Sequence, residues 1–515
     1  MSFDSTPTAP SIGASPAAAP IMSASSHVLG AFPNKPALST NCQFQPLQSS
    51  ETNSRTNESR VAFMIFGTQG DNQPFVSLSK EVAARGVTVE LWAFGEKSVS
   101  WMRSLGINAL LIDGSIEMET LFSDPVAEQA LATGDIGTMV KVLSTHTEPR
   151  QPKIWDSLMY HCKRFQPTLL VYTNALQATA RSLHDIFGFT VAFAQLYPRS
   201  PTVHEPPVHM AYYGISLPCG ANKLMHRLML SKIHGPALAS GSELQKRRRD
   251  AGLPPLTLDS VYELFEKQPV LCGWSPAVFD GYEDMAGDIF GYWMMSDKSQ
   301  LNAFQPSDQL RAFLVAGPPP AYIGWGSMLA KSGDHLTSAS FMSTLAVETA
   351  MLADVRVIIL GGWAQLSLEH IPVGRNDLRA FCAQPHQVFF ASEKVPHSWL
   401  LPYCTCAVIH GGAGTTGAVL HAGIPCVITP VLLGDQPWWA KRVAQLGVGV
   451  GVNKMLRETT SWEIAEAIGR IDDKMRAAAT KLAARLNREN GAANAGRVIA
   501  ELAQGGRPMY SSHTD

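Results

Sequence analysis

Cys406–Pro425 reads CAVIHGGAGTTGAVLHAGIP: an apolar run, a turn carrying Gly411, Gly412, Gly414 and Gly417, and then a helix-forming segment. Glycines at a strand-to-helix turn let backbone approach a ligand. The unpaired N–H groups of the helix, with roughly half a positive charge of dipole, favour an anion there, most simply a phosphate. Thr415 and Thr416 add hydroxyl donors, and His410 stands at the strand end facing the same place. The plainer alternative is a tight turn with no ligand.

The surroundings of this stretch set the fold. AYIGWGSM (Ala321–Met328), VRVIILGG and QVFFAS precede it as strand-type runs, and PCVITPVLLGDQP follows. An earlier series starts at Val61 with VAFMIF, the turn GTQGDNQP, the amphipathic FVSLSKEVAARG closing on Gly86, and VTVELWAF. TLLVYT (Thr168–Thr173) and TVAFAQLYP (Thr190–Pro198) continue it. Strands alternating with helices predict parallel sheets, here two Rossmann-like α/β halves. Residues 1–60 are Ser, Thr, Pro, Ala and Asn with few large apolar side chains, the composition of a disordered tail. The expected division is a tail at 1–60, a first domain at 61–300, a polar linker at 301–318, a second domain at 319–475, and C-terminal helices and tail at 476–515. Thr460 and Glu463 form a capping box ahead of WEIAEAIGRI, and the Ala-rich terminal helix is expected to pack on its own domain.

A length of 515 residues is more than one core normally organises, in keeping with two domains. Lys plus Arg number 41 against 43 Asp plus Glu, a net charge of -2, so no global basic field exists to hold nucleic acid. The eight cysteines form no CxxC pair and no metal-ligand spacing with histidine, which reads as reduced thiols in a cytoplasmic protein. No apolar run approaches the roughly 18 residues needed to span a bilayer, so a soluble protein, or one peripheral to a membrane, is expected. The basic cluster Lys246–Arg249 reads as a solvated helix face, with contact to an anionic membrane surface as the minority reading.

Three features carry candidate chemistry. Gly412, Gly414 and Gly417 spell GxGxxG, and Asp435 follows about twenty residues on, where a dinucleotide-binding protein keeps its ribose acid. Against that reading, such a fingerprint opens its sheet, whereas three strand candidates of the same half come first. Gln436 beside Asp435 also suits a hydroxyl-rich ligand, a sugar better than a nicotinamide. Asp71, in GTQGD at the end of the first strand, is a candidate general base, or else the cap of a helix starting near Gln73. Ser327 in GWGSM is a phosphate donor or a helix cap.

GTQGDNQP, SPAVFDGYEDMAGDIFGYW, LRAFLVAGPPPAYIGWGSM, KVPHSWLLPYCTCAVIHGGAGTTGAVLHAGIP and PVLLGDQPWWAKRVAQLGVG, in that order, resemble the sterol 3-β-glucosyltransferase-like branch of the family 1 glycosyltransferases over about residues 61–455. The resemblance implies a GT-B fold, two facing Rossmann-like domains with a cleft between them. It further implies an inverting, metal-independent transfer of a sugar, most simply glucose, from a UDP-sugar to a hydroxyl of a lipophilic acceptor such as a sterol or terpenoid. His410, Gly411, Gly412, Gly414, Thr415, Thr416 and Ser327 then contact the diphosphate. Val395 and His397 lie by the uracil and ribose, Asp435 and Gln436 hold sugar hydroxyls, and Thr68 and Gln69 join the donor contacts. Asp71 becomes the base. Tyr197, His204 and His209 are the acceptor-side candidates. No metal and no cofactor is implied beyond the UDP-sugar co-substrate, and no DxD pair stands in the sequence.

Two departures stand out. Gln69 replaces the Arg usual in GTRGD, and Leu432 and Leu433 replace two aromatic residues before Gly-Asp-Gln. The loss of a cation at Gln69 motivates the alternative of a GT-B pseudoenzyme that binds a UDP-sugar without transfer.

Overall fold

Two parallel sheets organise the chain, and their strands are almost wholly apolar because helices cover both faces. The computed structural model describes residues 58–505 apart from 118–119, 122–123, 134, 174–175, 214–216, 296–303, 327–337, 363–364, 393–394 and 433. All of these belong to one unit, Phe44–Asp515. Nearly the whole tail expected at 1–60, and Ser327 and Leu433, therefore lie outside the described residues.

The first sheet comprises β1 (Arg60–Ile65), β2 (Thr88–Ala93), β3 (Ala109–Leu111), β4 (Leu169–Tyr172), β5 (Thr190–Gln195), β6 (Val270–Cys272) and β7 (Asp288–Ile289). Its spatial order is β3-β2-β1-β4-β5-β6-β7. The second comprises β8 (Ala321–Gly324), β9 (Val357–Leu360), β10 (Val388–Ala391), β11 (Cys406–Ile409), β12 (Cys426–Ile428) and β13 (Gly449–Gly451), in the order β10-β9-β8-β11-β12-β13. All pairings are parallel: Phe63 lies opposite Leu91 and Val171, and Ile323 opposite Ile359 and Val408. The strand order reverses between β1 and β4 and again between β8 and β11. At such a point successive crossovers leave to opposite faces and open a crevice beyond the carboxyl ends of the strands. GTQGD follows β1 and HGGAGTT follows β11, so both motifs lie at these crevices.

Six helices matter to the site. They are α1 (Gln69–Ala83), α2 (Cys219–Leu238), α3 (Ala413–Ala422), α4 (Gln436–Gln445), α5 (Asp473–Leu486) and α6 (Gly491–Ala503). α1 begins at Gln69, with Pro74 inside it, rather than after the proline as the turn reading expects. Pro74 is the sixth residue of α1, and the bond it cannot make leaves the Gly70 carbonyl without its helical partner. The expected linker 301–318 contains a helix, Asp308–Val315, whose Phe313 packs on Phe389 of β10 at 5.4 Å.

The terminal helix departs from expectation. α5 stays with the second half, where Ala479 and Ala483 meet Gly423 at the end of α3. α6 instead crosses back: Ala495, Val498, Ile499 and Leu502 are buried in one cluster with Val61, Phe63, Phe75 and Val76. Gly496 lies so close to Glu81 of α1 that a Cβ there would sit 2.7 Å from the Glu81 Cβ. The apolar face of α6 matches the face α1 leaves uncovered, and that outweighs proximity in sequence.

A further apolar contact joins the halves. Phe279 meets Trp438 of α4 edge-on at 5.3 Å, Arg442 Nε donates to the Val278 carbonyl at 2.6 Å, and Trp438 Nε1 donates to Glu205 Oε2 at 3.1 Å. The basic cluster is a solvated face only in part: Lys246 and Arg249 are exposed, whereas Arg248 is 3% exposed and pairs with Asp185 at 2.7 Å, and Arg247 pairs with Asp156 and Glu243. Among the described residues no helix is long and apolar enough to cross a membrane.

Candidate functional site

Asp71 is the third residue of α1, and Thr68 is the cap before it. Asp71 Oδ2 accepts the Thr68 N–H at 2.7 Å and the Thr68 hydroxyl at 2.9 Å. Capping and base chemistry are therefore compatible, because one carboxylate oxygen is fixed by the cap and Oδ1 carries no hydrogen bond among the described residues. Asp71 keeps solvent access while protein from both halves surrounds it. Desolvation pushes its carboxyl above the ordinary value, and the Thr68 bonds oppose that shift. Gln69, the first residue of the helix, is exposed.

Across the cleft, α3 starts at Ala413 with Gly412 as its cap, which has no side chain to bond the first turn; the Asp435 carboxylate bonds the backbone of Ala413. A Cβ added to Gly414 would lie 3.5 Å from the Gly70 carbonyl oxygen, so the N-termini of α1 and α3 face each other closely. Pro74, without an N–H, cannot satisfy that carbonyl in the usual helical way. Gly411 has φ +88, and a Cβ there would meet Ile428 Cγ2 at 2.6 Å, so this position admits only glycine. A Cβ on Gly412 would press His410 Nε2 at 2.5 Å.

His410 is 8% exposed, and its Nδ1 has no partner among the described residues; nor has the fully buried Thr416 hydroxyl. Unpaired buried donors of this kind are costly unless a ligand completes them. Burial, with a smaller push from His397, lowers the His410 imidazolium to about 4. His410 is thus neutral at pH 7. It offers a hydrogen bond rather than a charge, and the positive end comes from α3. Thr415 is half-buried beside it.

Val395 is buried at 6%, and partly buried His397 shares a 2.9 Å hydrogen bond between its Nε2 and the Tyr322 hydroxyl of β8. Burial holds the His397 ring down to about 4.

Asp435 caps α4. Its Oδ2 accepts Trp439 Nε1 at 3.0 Å, and burial together with the charge of Asp71 pushes its carboxyl up to about 7. Gln436 is otherwise engaged than expected: its Oε1 accepts the Val431 and Leu432 N–H groups at 2.8 and 3.0 Å, which fixes the loop before it. Tyr197, beyond β5, lies within electrostatic reach of both Asp71 and Asp435, and burial pushes its phenol up to about 12. The cleft thus gathers Asp71, Asp435 and Tyr197 opposite His410, Thr415 and Thr416.

The two acceptor-side histidines, His204 and His209, have different surroundings. His204 stacks on Tyr282 at 4.8 Å and faces Glu283 and Asp284, each at 3.8 Å. His209 is held down to about 3 by burial, which makes it a poor proton acceptor near neutral pH. The dinucleotide reading also weakens. GxGxxG follows β11, the fourth strand of its half, and the Asp435 carboxyl is bound to Trp439 and faces Asp71. Tyr322 and Trp439 were not singled out by sequence reasoning. Trp439 was findable, standing four residues after Asp435 on one helix face; nothing local points from Tyr322 to His397, 75 residues away.

Residues 370–502 match the model of the erythromycin biosynthesis protein CIII-like C-terminal domain. The sterol 3-beta-glucosyltransferase of Debaryomyces hansenii is 26% identical over 444 residues, covering 85% of this chain and 26% of its own length. That of Aspergillus fumigatus is 28% identical over 455 residues, covering 85% and 29%. The chain spans less than a third of the length of these two relatives. Among solved structures, the calicheamicin glycosyltransferase CalG4 superposes with a TM-score of 0.58 at 16% identity, over 87% of this chain and 98% of that one. The glycosyltransferase VinC in complex with dTDP gives 0.54 at 16% identity, over 87% and 100%. The two parallel-sheet halves are those of the GT-B fold.

Proposed function

We propose that this chain, a homologue of sterol 3-beta-glucosyltransferases over 85% of its length, transfers a sugar, glucose in the simplest case, from a UDP-sugar to a hydroxyl of a lipophilic acceptor, with inversion and without a metal. The observation that carries the reading is the juxtaposition of Asp71, with Oδ1 unengaged, and the glycine-capped N-terminus of α3 beside Gly70.

Asp71 Oδ1 takes the acceptor hydroxyl proton as that oxygen attacks the anomeric carbon. The C–O bond to the diphosphate breaks on the opposite side, and UDP departs. The first N–H groups of α3, with the Thr415 and Thr416 hydroxyls and neutral His410, receive the charge that grows on the diphosphate. Asp435, bound to Trp439, is placed for the sugar hydroxyls, and its carboxyl near 7 can accept or donate a hydrogen bond. His397, set by Tyr322, serves the ribose or base. Gln436 acts indirectly, by fixing the loop at Val431 and Leu432. Ser327 is retained as a further diphosphate contact on the resemblance alone.

The test is UDP release from UDP-glucose in EDTA, with and without ergosterol and a terpenoid alcohol panel. Acceptor-dependent release that persists in EDTA is expected. Tight UDP-glucose binding with no turnover on any acceptor, and no effect of Asp71→Asn, would favour the pseudoenzyme that Gln69 motivates.

A further inference from the structure

Arg199 follows β5 by four residues and is partly buried. No carboxylate pairs with it among the described residues, although the other arginines of this region are engaged: Arg181 and Arg248 with Asp185, Arg247 with Asp156 and Glu243, and Arg227 with Asp259. Asp284, which acts with Arg199 on His226, is already committed to Thr202 at 2.6 Å, the Val203 N–H at 2.9 Å and Lys223 at 3.4 Å.

Its other surroundings do not neutralise it. His209, His226 and His234 lie within its electrostatic reach and are all held neutral, chiefly by burial, at about 3, 4 and 3. The guanidinium sits 6.0 Å from the centre of the Tyr197 ring, on the residue that also feels Asp71 and Asp435. Its guanidinium also donates to the Tyr197 hydroxyl. A partly buried guanidinium with no carboxylate partner among the described residues remains open to an anion, and the helix N-terminus proposed for the diphosphate belongs to the other half. Arg199 therefore stands in the first half, beside the Tyr197 that feels the two aspartates of the cleft.

We propose that Arg199 receives a carboxylate carried by a substrate that enters this cleft, beside Tyr197. A planar guanidinium pairs with a carboxylate through two parallel N–H donors, which makes it a reader of that group as well as a charge. The inference rests on reading the cleft as a sugar-transfer site and narrows its substrate: an acidic lipophile, or else a uronic acid sugar on the donor.

Binding separates the sources and needs no turnover. The full chain is titrated, following tryptophan fluorescence, with cholic acid and its methyl ester, and separately with UDP-glucuronate and UDP-glucose. In one of the two pairs the acid is expected to bind more tightly by about tenfold or more, and the preference is expected to shrink with salt. Arg199→Gln should bring that ratio near one, Arg199→Lys should restore part of it, and Arg249→Gln, on the outer surface, should leave it intact. The acid sterol responding identifies the acceptor as the source, the glucuronate the donor. Equal affinities in both pairs, no binding of either acid, or a preference that survives Arg199→Gln would overturn the inference. Failure of sugar transfer in the UDP-release assay, with the acid preference present, would instead count against the glycosyltransferase reading alone.

Discussion

The two carboxylates of the cleft do different work for environmental reasons. Asp71 has one oxygen tied to Thr68 and one unengaged, so Asp71→Asn should keep the cap acceptor and lose the base. Turnover is expected to fall by about 10² to 10⁴ with UDP-glucose affinity little changed; a fall below tenfold in steady-state kinetics would move the base elsewhere. Because the Asp71 carboxyl is raised and must be ionised to act, the acid limb of kcat/KM should lie above the usual aspartate range. Asp435 gives a stability signature. Its carboxyl is raised from 3.8 to about 7, so between those values the folded chain binds more protons than the unfolded one. Its contribution is complete below 3.8 and is lost as pH rises through 7. Thermal unfolding of parent and Asp435→Asn, taken as a difference so that the histidines cancel, should show the parent losing ground from about pH 4 to 7; a flat difference would refute the raised carboxyl. At this scale the sequence shows which residue types are present, and Asp71, His410 and Asp435 were legible from their motifs. It does not show neutrality of His410 or the engagement of Gln436, because both depend on what surrounds them in space.

Elements were read well where apolar runs end abruptly. The strands before Gly67, Thr173, Trp325 and His410 end where glycine or a polar or bulky residue interrupts the run, and Thr460 and Glu463 do form a capping box. The start of α1 was misplaced because Pro74 reads as a breaker, whereas the helix runs through it at its sixth residue and forgoes one bond to the Gly70 carbonyl. That shift put Asp71 on a rigid helix turn rather than a flexible loop. The glycine turn before α3 is as constrained as its composition suggests. With φ +88 and Ile428 Cγ2 at 2.6 Å from an added Cβ, Gly411→Ala should cost about 2 to 4 kcal/mol in denaturant unfolding. A loss under about 0.5 kcal/mol would mean the strand-to-helix turn relaxes freely.

For the whole molecule, the least legible feature is α6. Periodicity reveals which face of a helix is apolar but not which neighbour covers it, so a helix at the far end of the chain could not be assigned to the first half. Ile499 is fully buried against that half, and Ile499→Ala should destabilise by about 2 to 5 kcal/mol. Hydrogen exchange is expected to rise in β1 and α1 rather than in β8 to β13; the reverse pattern would contradict the crossing. The crossing and the Phe279, Trp438 and Glu205 contacts hold the α1 and α3 N-termini face to face, and the transfer chemistry requires that geometry. The near-neutral net charge fits such a site, since an oriented helix end serves a diphosphate without an excess of Lys and Arg. The most direct measurement is the anomeric configuration of the product formed from α-linked UDP-glucose and a sterol or terpenoid alcohol, read by proton NMR coupling at the anomeric carbon. A β-glycoside that disappears with Asp71→Asn is predicted; an α-glycoside, or a β-glycoside formed equally by Asp71→Asn, would contradict it.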